Sequence, residues 1–205
     1  EKIVKHYHLV KVDFFVNYII PTKPVRAIYK STNKAYNKLI VIDKENGGKA
    51  DSLNAGINLS SKNYVLCIDV DCILEEDALL KLVKPFMENF NERVIATGGV
   101  IRVANSCDVK DGKIIRVNLP SNYIARFQAL EYNRTFLMGR VAWSSINGLM
   151  LISGACGIFD REIVLKSGGY DSKTVGEYME LVVRMRRYMY EKNERVFCQE
   201  YQPAV

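Results

Sequence analysis

Apolar and polar positions change rhythm several times along the chain, and each change predicts an element. Residues 1–8 read as the end of a helix, and "LVKVDFFVNY", residues 9–18, reads as a strand. "PTKPVRAIYKSTNKAYN" is then a polar connection with two prolines, and "KLIVID" a short β-branched strand. In "KENGGKADSLNAGINLS", Gly47 and Gly48 break that strand, and Ala50, Leu53, Asn54 and Ile57 recur at helical spacing. "NYVLCIDVD" is the next strand and "LEEDALLKLVKPF" the next helix. Three acids are expected in that helix's first turn, where the positive end of the dipole favours them. Strand, helix, strand and helix in so short a span predict an α/β unit with a right-handed parallel crossover.

The second half has a mixed character. "RVIATGGVIRVAN" and "KIIRVNL" are strand-like, and "VKDGK" between them is a turn signal. "YIARFQALEYNRTFLMGRVAW" predicts a long amphipathic helix. Its Tyr123, Phe127, Leu130 and Phe136 are expected in the core. Trp143 with Arg126, Arg134 and Arg140 makes a membrane surface the second reading. "LMLISGACGIFD" is an apolar strand broken by Gly154 and Gly157, and "GEYMELVVRMRRYMYEK" a final helix. No repeat or low-complexity linker divides the chain, so one continuous α/β domain is expected.

Composition narrows the classes. The chain has 205 residues, 48% hydrophobic and 25% charged, as in soluble globular proteins. Its formal charge of +6 suits an anionic partner such as nucleotide phosphates, or an acidic membrane surface. The basic residues are scattered, so a nucleic-acid stripe is not expected. Five cysteines, an odd number without C-x-x-C spacing, read as reduced and mostly buried thiols. With only His6 and His8 besides, a structural zinc site is not expected. No apolar run reaches the roughly 20 residues of a membrane span, and no signal peptide is expected. Glu1 and the final "QEYQPAV" read as the ends of a piece cut from something longer.

Two carboxylates closing an apolar run are the first candidate for chemistry. Asp69 and Asp71 stand two apart, a spacing that in a strand points both side chains to one side. Ligands of open α/β sheets bind just past the carboxyl ends of strands. Two carboxylates there suit a hard cation, Mg2+ or Mn2+, which keeps waters and takes phosphate oxygens. Alone, D-x-D is weak, and solvated acids capping the next helix are its ordinary reading. "NGGKADSLNAG" is the second candidate. A glycine pair and Lys49 at a helix start could present backbone N–H groups and an ammonium to an anion. It is not a P-loop, since Asp43 stands where the first glycine belongs and Ala50 replaces the serine or threonine. A plain strand-to-helix turn is its ordinary reading.

Taken in order, "GGKADSLNAG", a strand ending "DVD", "SGACGIFDRE", "GGYD" and "TVGEYMELVVRMRRY" resemble the family 2 glycosyltransferases of GT-A fold, over residues 44 to 188. The resemblance implies an α/β nucleotide-diphospho-sugar transferase fold. Its mixed, mostly parallel sheet is flanked by helices and lacks the first, base-binding strands here. Residues 1–205 are then one catalytic domain, with 1–100 its donor and metal half and 101–205 its acceptor half. The implied reaction is inverting transfer of a sugar from a nucleotide diphosphate sugar, most commonly a UDP-sugar. The acceptor is a hydroxyl of a glycan or lipid-linked molecule, in polysaccharide or bacterial cell-envelope glycan synthesis. The resemblance makes Asp69 and Asp71 the D-x-D, with Asp71 on the Mn2+ or Mg2+ and Asp69 also facing the donor's ribose or sugar. Lys49 and Asn54 lie in the donor pocket, and Ser153, Gly154 and Ala155 line its sugar and acceptor side. The parent protein is expected on the cytoplasmic side of the cell membrane through segments outside this chain, which is itself soluble.

One position departs from the pattern. The family usually places an aspartate base in an "ED" pair at the start of the last helix, where this chain has Glu177–Tyr178. A phenol with an ordinary pKa of about 10 is a poor base at neutral pH. Tyr178 shares a helical face with Val182, Met185 and Met189, which predicts a packed aromatic. Glu177 and Glu180 are the remaining carboxylates within reach, and Glu180 is expected to pair with Arg184 at i, i+4. Weakened catalysis is therefore expected. A degenerate transferase domain that binds nucleotide or a partner without turnover is the rival from another class, and a nucleotidyltransferase the rival among enzymes.

Overall fold

A computed structural model describes every residue except 1, 15, 89–91, 193, 195 and 205. The chain's contacts group into two compact units, Glu1–Ser61 with Gly168–Glu177, and Lys62–Ser167 with Tyr178–Val205.

The first unit holds a short helix α1 (Lys2–His6), strands β1 (Leu9–Val12), β2 (Val25–Ser31) and β3 (Ile40–Lys44), and helix α2 (Gly48–Leu59). The strands form an antiparallel sheet in the order β1-β2-β3, with Leu9 opposite Ser31 and Lys30 opposite Ile40. β2 corrects the expected polar connection. Ile28 and Ser31 are buried while Arg26 and Lys30 are exposed, and pairing on both edges outweighs its polar content. β1 ends at Val12, well short of residue 18. Gly48, at φ 84°, opens α2 in a backbone region that only glycine enters freely.

The second unit contains β4 (Tyr64–Ile68), α3 (Ala78–Glu88), β5 (Arg93–Val100), β6 (Asp108–Lys110), β7 (Lys113–Arg116), α4 (Tyr123–Arg134), a π-helical segment (Thr135–Arg140), α5 (Val141–Ser145), β8 (Cys156–Asp160) and α6 (Arg161–Lys166). Helix α7 (Glu177–Glu191) enters it after its first residue, and β9 (Val196–Ala204) completes it. The main sheet runs β4-β8-β5-β9, with β8 antiparallel to both neighbours and β5–β9 parallel. The mixed α/β class is as expected, but the mostly parallel sheet is not. Among the described residues β5–β9 is the one parallel pair, and β3 and β4 lie in different sheets. Among the described residues no ladder joins β3 to β4, so their expected parallel pairing is not seen. Strand order along the chain does not name pairing partners, and β8, buried at all five positions, takes the place beside β4.

Packing follows from periodicity where one face is apolar. On α7, Leu181, Val182, Met185 and Met189 are fully buried, each contributing roughly 1.5–3 kcal/mol. Leu82 of α3 packs on Cys156 and Ile158, flanked by Tyr64 and Phe86, and its carbonyl accepts a 2.8 Å hydrogen bond from Thr97 Oγ1. The acids Glu75, Glu76 and Asp77 precede α3 instead of filling its first turn, since the helix starts at Ala78. Asp160 caps α6 by accepting from the Ile163 N–H at 3.2 Å, and its other oxygen takes Arg93 Nε at 3.0 Å. Asp111 and Gly112, both at positive φ, make the tight turn between β6 and β7 that "VKDGK" predicts. Cys67, Cys156 and Cys198 are buried, and Cys72 and Cys107 half-buried.

Helix α4 corrects a packing expectation. Phe136 is buried as predicted, but Tyr123, Phe127 and Leu130 stand in solvent, and none of α4's twelve residues is buried. The helix turns its small Ala125 and Ala129 inward, so the apolar stripe faces out. Among the described residues, no helix is long and apolar enough to cross a membrane.

Candidate active site

In the second unit, β4 delivers its chain to a turn. The strand ends at Ile68, the Asp69 N–H donates to the Ala155 carbonyl at 3.1 Å, and the Cys72 N–H donates back to the Asp69 carbonyl at 3.2 Å. The two carboxylates therefore leave from a turn, not a strand, and the same-side argument from strand geometry does not apply to them. The outcome is nevertheless convergence: Asp69 and Asp71 line one cleft of about 310 Å3. Ala155 closes one side, and Arg102, Asn105, Gln128 and Tyr132 line others. Val70 between the acids points wholly into solvent, so the apolar run does not continue through the turn.

The donor set is the chemistry of a hard cation. Two carboxylates give part of an oxygen shell, which waters and phosphate oxygens would complete. Among the described residues no group of three or more histidines, cysteines or acids is arranged to hold a metal ion, so the described side chains do not build a closed cage. Cys72 lies beside the pair, but its thiol donates to the Ala155 carbonyl at 3.4 Å.

The segment 153–155 meets α7 within the same unit. Ser153 Oγ accepts the Ala155 N–H at 3.3 Å, tightening the turn before β8. A Cβ built on Gly154 would lie 2.6 Å from the Tyr178 ring, so the phenol lies directly on this glycine. Tyr178 is 7% exposed, packed on the face of Leu181 and Val182. Glu180 is held by Arg184, whose Nε donates to it at 2.6 Å and whose Nη1 donates to the Ser167 carbonyl. Glu177, the first residue of α7, is half-buried and belongs to the first unit.

Lys49 and Asn54 also belong to the first unit. Lys49 is an exposed residue of the first turn of α2. Asn54 is 3% exposed and clamps one residue: Nδ2 donates to the Tyr170 carbonyl and Oδ1 accepts the Tyr170 N–H, both at 2.8 Å. One turn on, Asn58 clamps Ile20 in the same way, at 2.8 and 3.0 Å. Asp51 completes the face, accepting the Lys23 N–H at 2.8 Å and an ion pair from Lys44. Burial pushes the Asp51 carboxyl up, but the Lys44 ammonium and the Lys23 N–H more than offset this and hold it below its ordinary value. Asp51 and Asn58 were missed in the sequence, although their spacing with Asn54, i, i+3 and i+7, marks one helical face. Arg102, Asn105 and Gln128 carried no signal; only folding places them on the cleft.

Comparison with known proteins places the chain in a family. Residues 21–162 match the model described as Glycosyl transferase family 2. A poly-beta-1,6-N-acetyl-D-glucosamine synthase of Staphylococcus aureus (strain COL) is 28% identical over 151 residues, covering 73% of this chain and 32% of that protein. The synthase of the same name from Staphylococcus epidermidis is 25% identical over 146 residues, covering 71% and 32%. The chain thus spans about a third of the length of the curated relatives it matches. Among solved structures, a mannosyltransferase from Pyrobaculum calidifontis, in complex with GDP-Man and Mn2+, aligns over 80% of this chain and 38% of its own, at 18% identity and a TM-score of 0.48.

Proposed function

The chain belongs to glycosyl transferase family 2 and has a GT-A-like mixed α/β fold, and we propose that it transfers a sugar, with inversion, from a nucleotide diphosphate sugar to an acceptor hydroxyl in polysaccharide synthesis. The names of the two synthases support N-acetylglucosamine as the sugar to try first, and the resemblance to the family makes UDP the carrier to test with it. In this reading residues 1–205 act as one catalytic domain of a membrane-associated parent. The observation that carries it is the cleft of Asp69, Asp71 and Ala155, which lies inside the matched residues.

The acceptor oxygen forms a bond to the anomeric carbon as the bond to the diphosphate breaks, and the nucleoside diphosphate leaves with the electron pair. Asp69 and Asp71 would hold the Mn2+ or Mg2+, which neutralises charge on that leaving group when bound. Ser153, Gly154 and Ala155 face the sugar, while Lys49 and Asn54 serve the donor. Asn54 does so by fixing the backbone at Tyr170. The hydroxyl proton needs a base, and here the chain is poorly supplied. Tyr178 is buried against Gly154, and Glu180 is committed to Arg184. These positions also lie outside the matched residues. Transfer by this sequence is accordingly slow, and Glu177 is the remaining candidate. The same facts favour the second reading, a domain that binds nucleotide without turnover.

Calorimetric titration of UDP with and without Mn2+, beside Asp71→Ala, tests the site. Metal-dependent binding lost in the variant is the expected result. No metal-dependent binding to the parent chain would refute the donor site. Product formation from UDP-N-acetylglucosamine by Tyr178→Asp separates the two readings. A gain supports a transferase lacking its base, and none supports the binding module.

A further inference from the structure

The arm from β6 to α5 carries apolar surface and positive charge together. On α4, Tyr123, Ile124, Phe127 and Leu130 are 65–77% exposed, and Met138 and Trp143 continue the exposed surface. In α4, positions 123, 127, 130 and 134 fall on one stripe of the helix. Only Arg134 interrupts the apolar run, and it pairs with the exposed Glu131. Beyond the stripe, Met138, Trp143, Leu149 and Met150 line an open apolar groove of about 880 Å3, edged by Arg134 and Arg140. The opposite face of the helix is already used, since Gln128 and Tyr132 line the Asp69–Asp71 cleft beside Ile114 of the β6–β7 hairpin.

The charge of the arm is not that of the rest of the chain. From Asp108 to Ser145 the arm contains Lys110, Lys113, Arg116, Arg126, Arg134 and Arg140 against Asp108, Asp111 and Glu131, a net +3 within a chain of +6. Such clustering was invisible along the sequence because the six are widely spaced. An outward stripe of aromatic and aliphatic side chains with arginines along it fits an interfacial helix lying in the plane of a lipid surface. The aromatic rings and the lone tryptophan suit the headgroup region, where an apolar body and a polar edge are both accommodated. A nucleic acid would leave the apolar stripe uncovered, and a buried protein interface would strip water from several arginines at once.

We propose that this arm, with α4 at its centre, docks the domain on an anionic lipid surface, the arginines reaching phosphate headgroups and the apolar stripe entering the acyl boundary. The inference is independent of the proposed transfer reaction and stands or falls on binding alone. Docking in this way sets the α4 wall of the Asp69–Asp71 cleft close to the lipid plane.

Trp143 is the only tryptophan of the chain and is 57% exposed, so its emission reports directly. The experiment adds vesicles of phosphatidylcholine, alone or mixed with phosphatidylglycerol, to the chain, and follows tryptophan emission with co-flotation of the protein. The expected result is a blue shift and flotation with the anionic vesicles only, weakened by salt. Phe127→Gln with Leu130→Gln should lose the binding, and Arg126→Gln, Arg134→Gln and Arg140→Gln together should weaken it roughly a hundredfold. All five positions are outside the buried core, so far-UV circular dichroism should be unchanged and the variants remain informative. No binding to either vesicle overturns the proposal, as does binding that ignores lipid charge or survives both sets of substitutions. A concentration-dependent dimer that buries Trp143 and excludes vesicles overturns it too, by assigning the face to a second copy.

Discussion

Replacing Asn54 by alanine removes a clamp whose two hydrogen bonds are both made to one buried residue. The amide donates to the Tyr170 carbonyl and accepts its N–H, each at 2.8 Å, and both residues are 3% exposed. Alanine leaves that N–H and that carbonyl without this partner in a region closed to bulk water. Each such group costs about 1–3 kcal/mol when its partner is deleted, so the pair predicts a loss of about 3 kcal/mol. That is a large share of the roughly 5–15 kcal/mol that holds a domain folded. Urea unfolding followed by far-UV circular dichroism measures it, as a lower midpoint with an unchanged slope. Asn54→Asp should be no better, because it places a carboxylate oxygen against the Tyr170 carbonyl. Titration with UDP and Mn2+ is run beside it. If the variant were as stable as the parent and only nucleotide binding fell, the side chain would be a donor contact and the clamp argument would be refuted.

Acid should loosen the same helix face. Asp51, 8% exposed at its side chain, titrates below its ordinary 3.8 in the folded chain. Its contribution is therefore complete above that value and is lost as pH falls below it. Unfolding midpoints of the parent should drop through this window, while Asp51→Asn starts lower and shows a flatter acid limb; parallel curves would contradict the assignment. Gly154→Ala should destabilise by about 1–3 kcal/mol, because its methyl would stand 2.6 Å from the Tyr178 ring. Combining it with Tyr178→Leu should recover part of that loss in a double-mutant cycle; strict additivity would show that the ring does not set the constraint.

The amino-acid sequence by itself determined the order and type of most elements, because helix and strand periodicity is local and needs no partner to be written. The α2, α3, α4 and α7 helices and the β3, β4, β5 and β8 strands all stand near their predicted places. It also carried the family, through an ordered set of short motifs. β2 escaped because Arg26, Lys30 and Ser31 among its seven residues resemble a loop until pairing on both edges secures the strand.

Tertiary structure alone decided which strands pair, and so set β8 between β4 and β5, antiparallel to both. It decided that Asp69 and Asp71 converge from a turn, with Arg102 brought onto their cleft from 31 positions further along the chain than Asp71. It decided that Asn54, apparently free to meet a ligand, spends both ends of its amide on Tyr170. Most of all it decided the face of α4. A stripe of Tyr123, Phe127 and Leu130 records only that one side of a helix is apolar. Whether that side meets a core or the outside depends on what the rest of the chain brings against it, and here small alanines take the inward place.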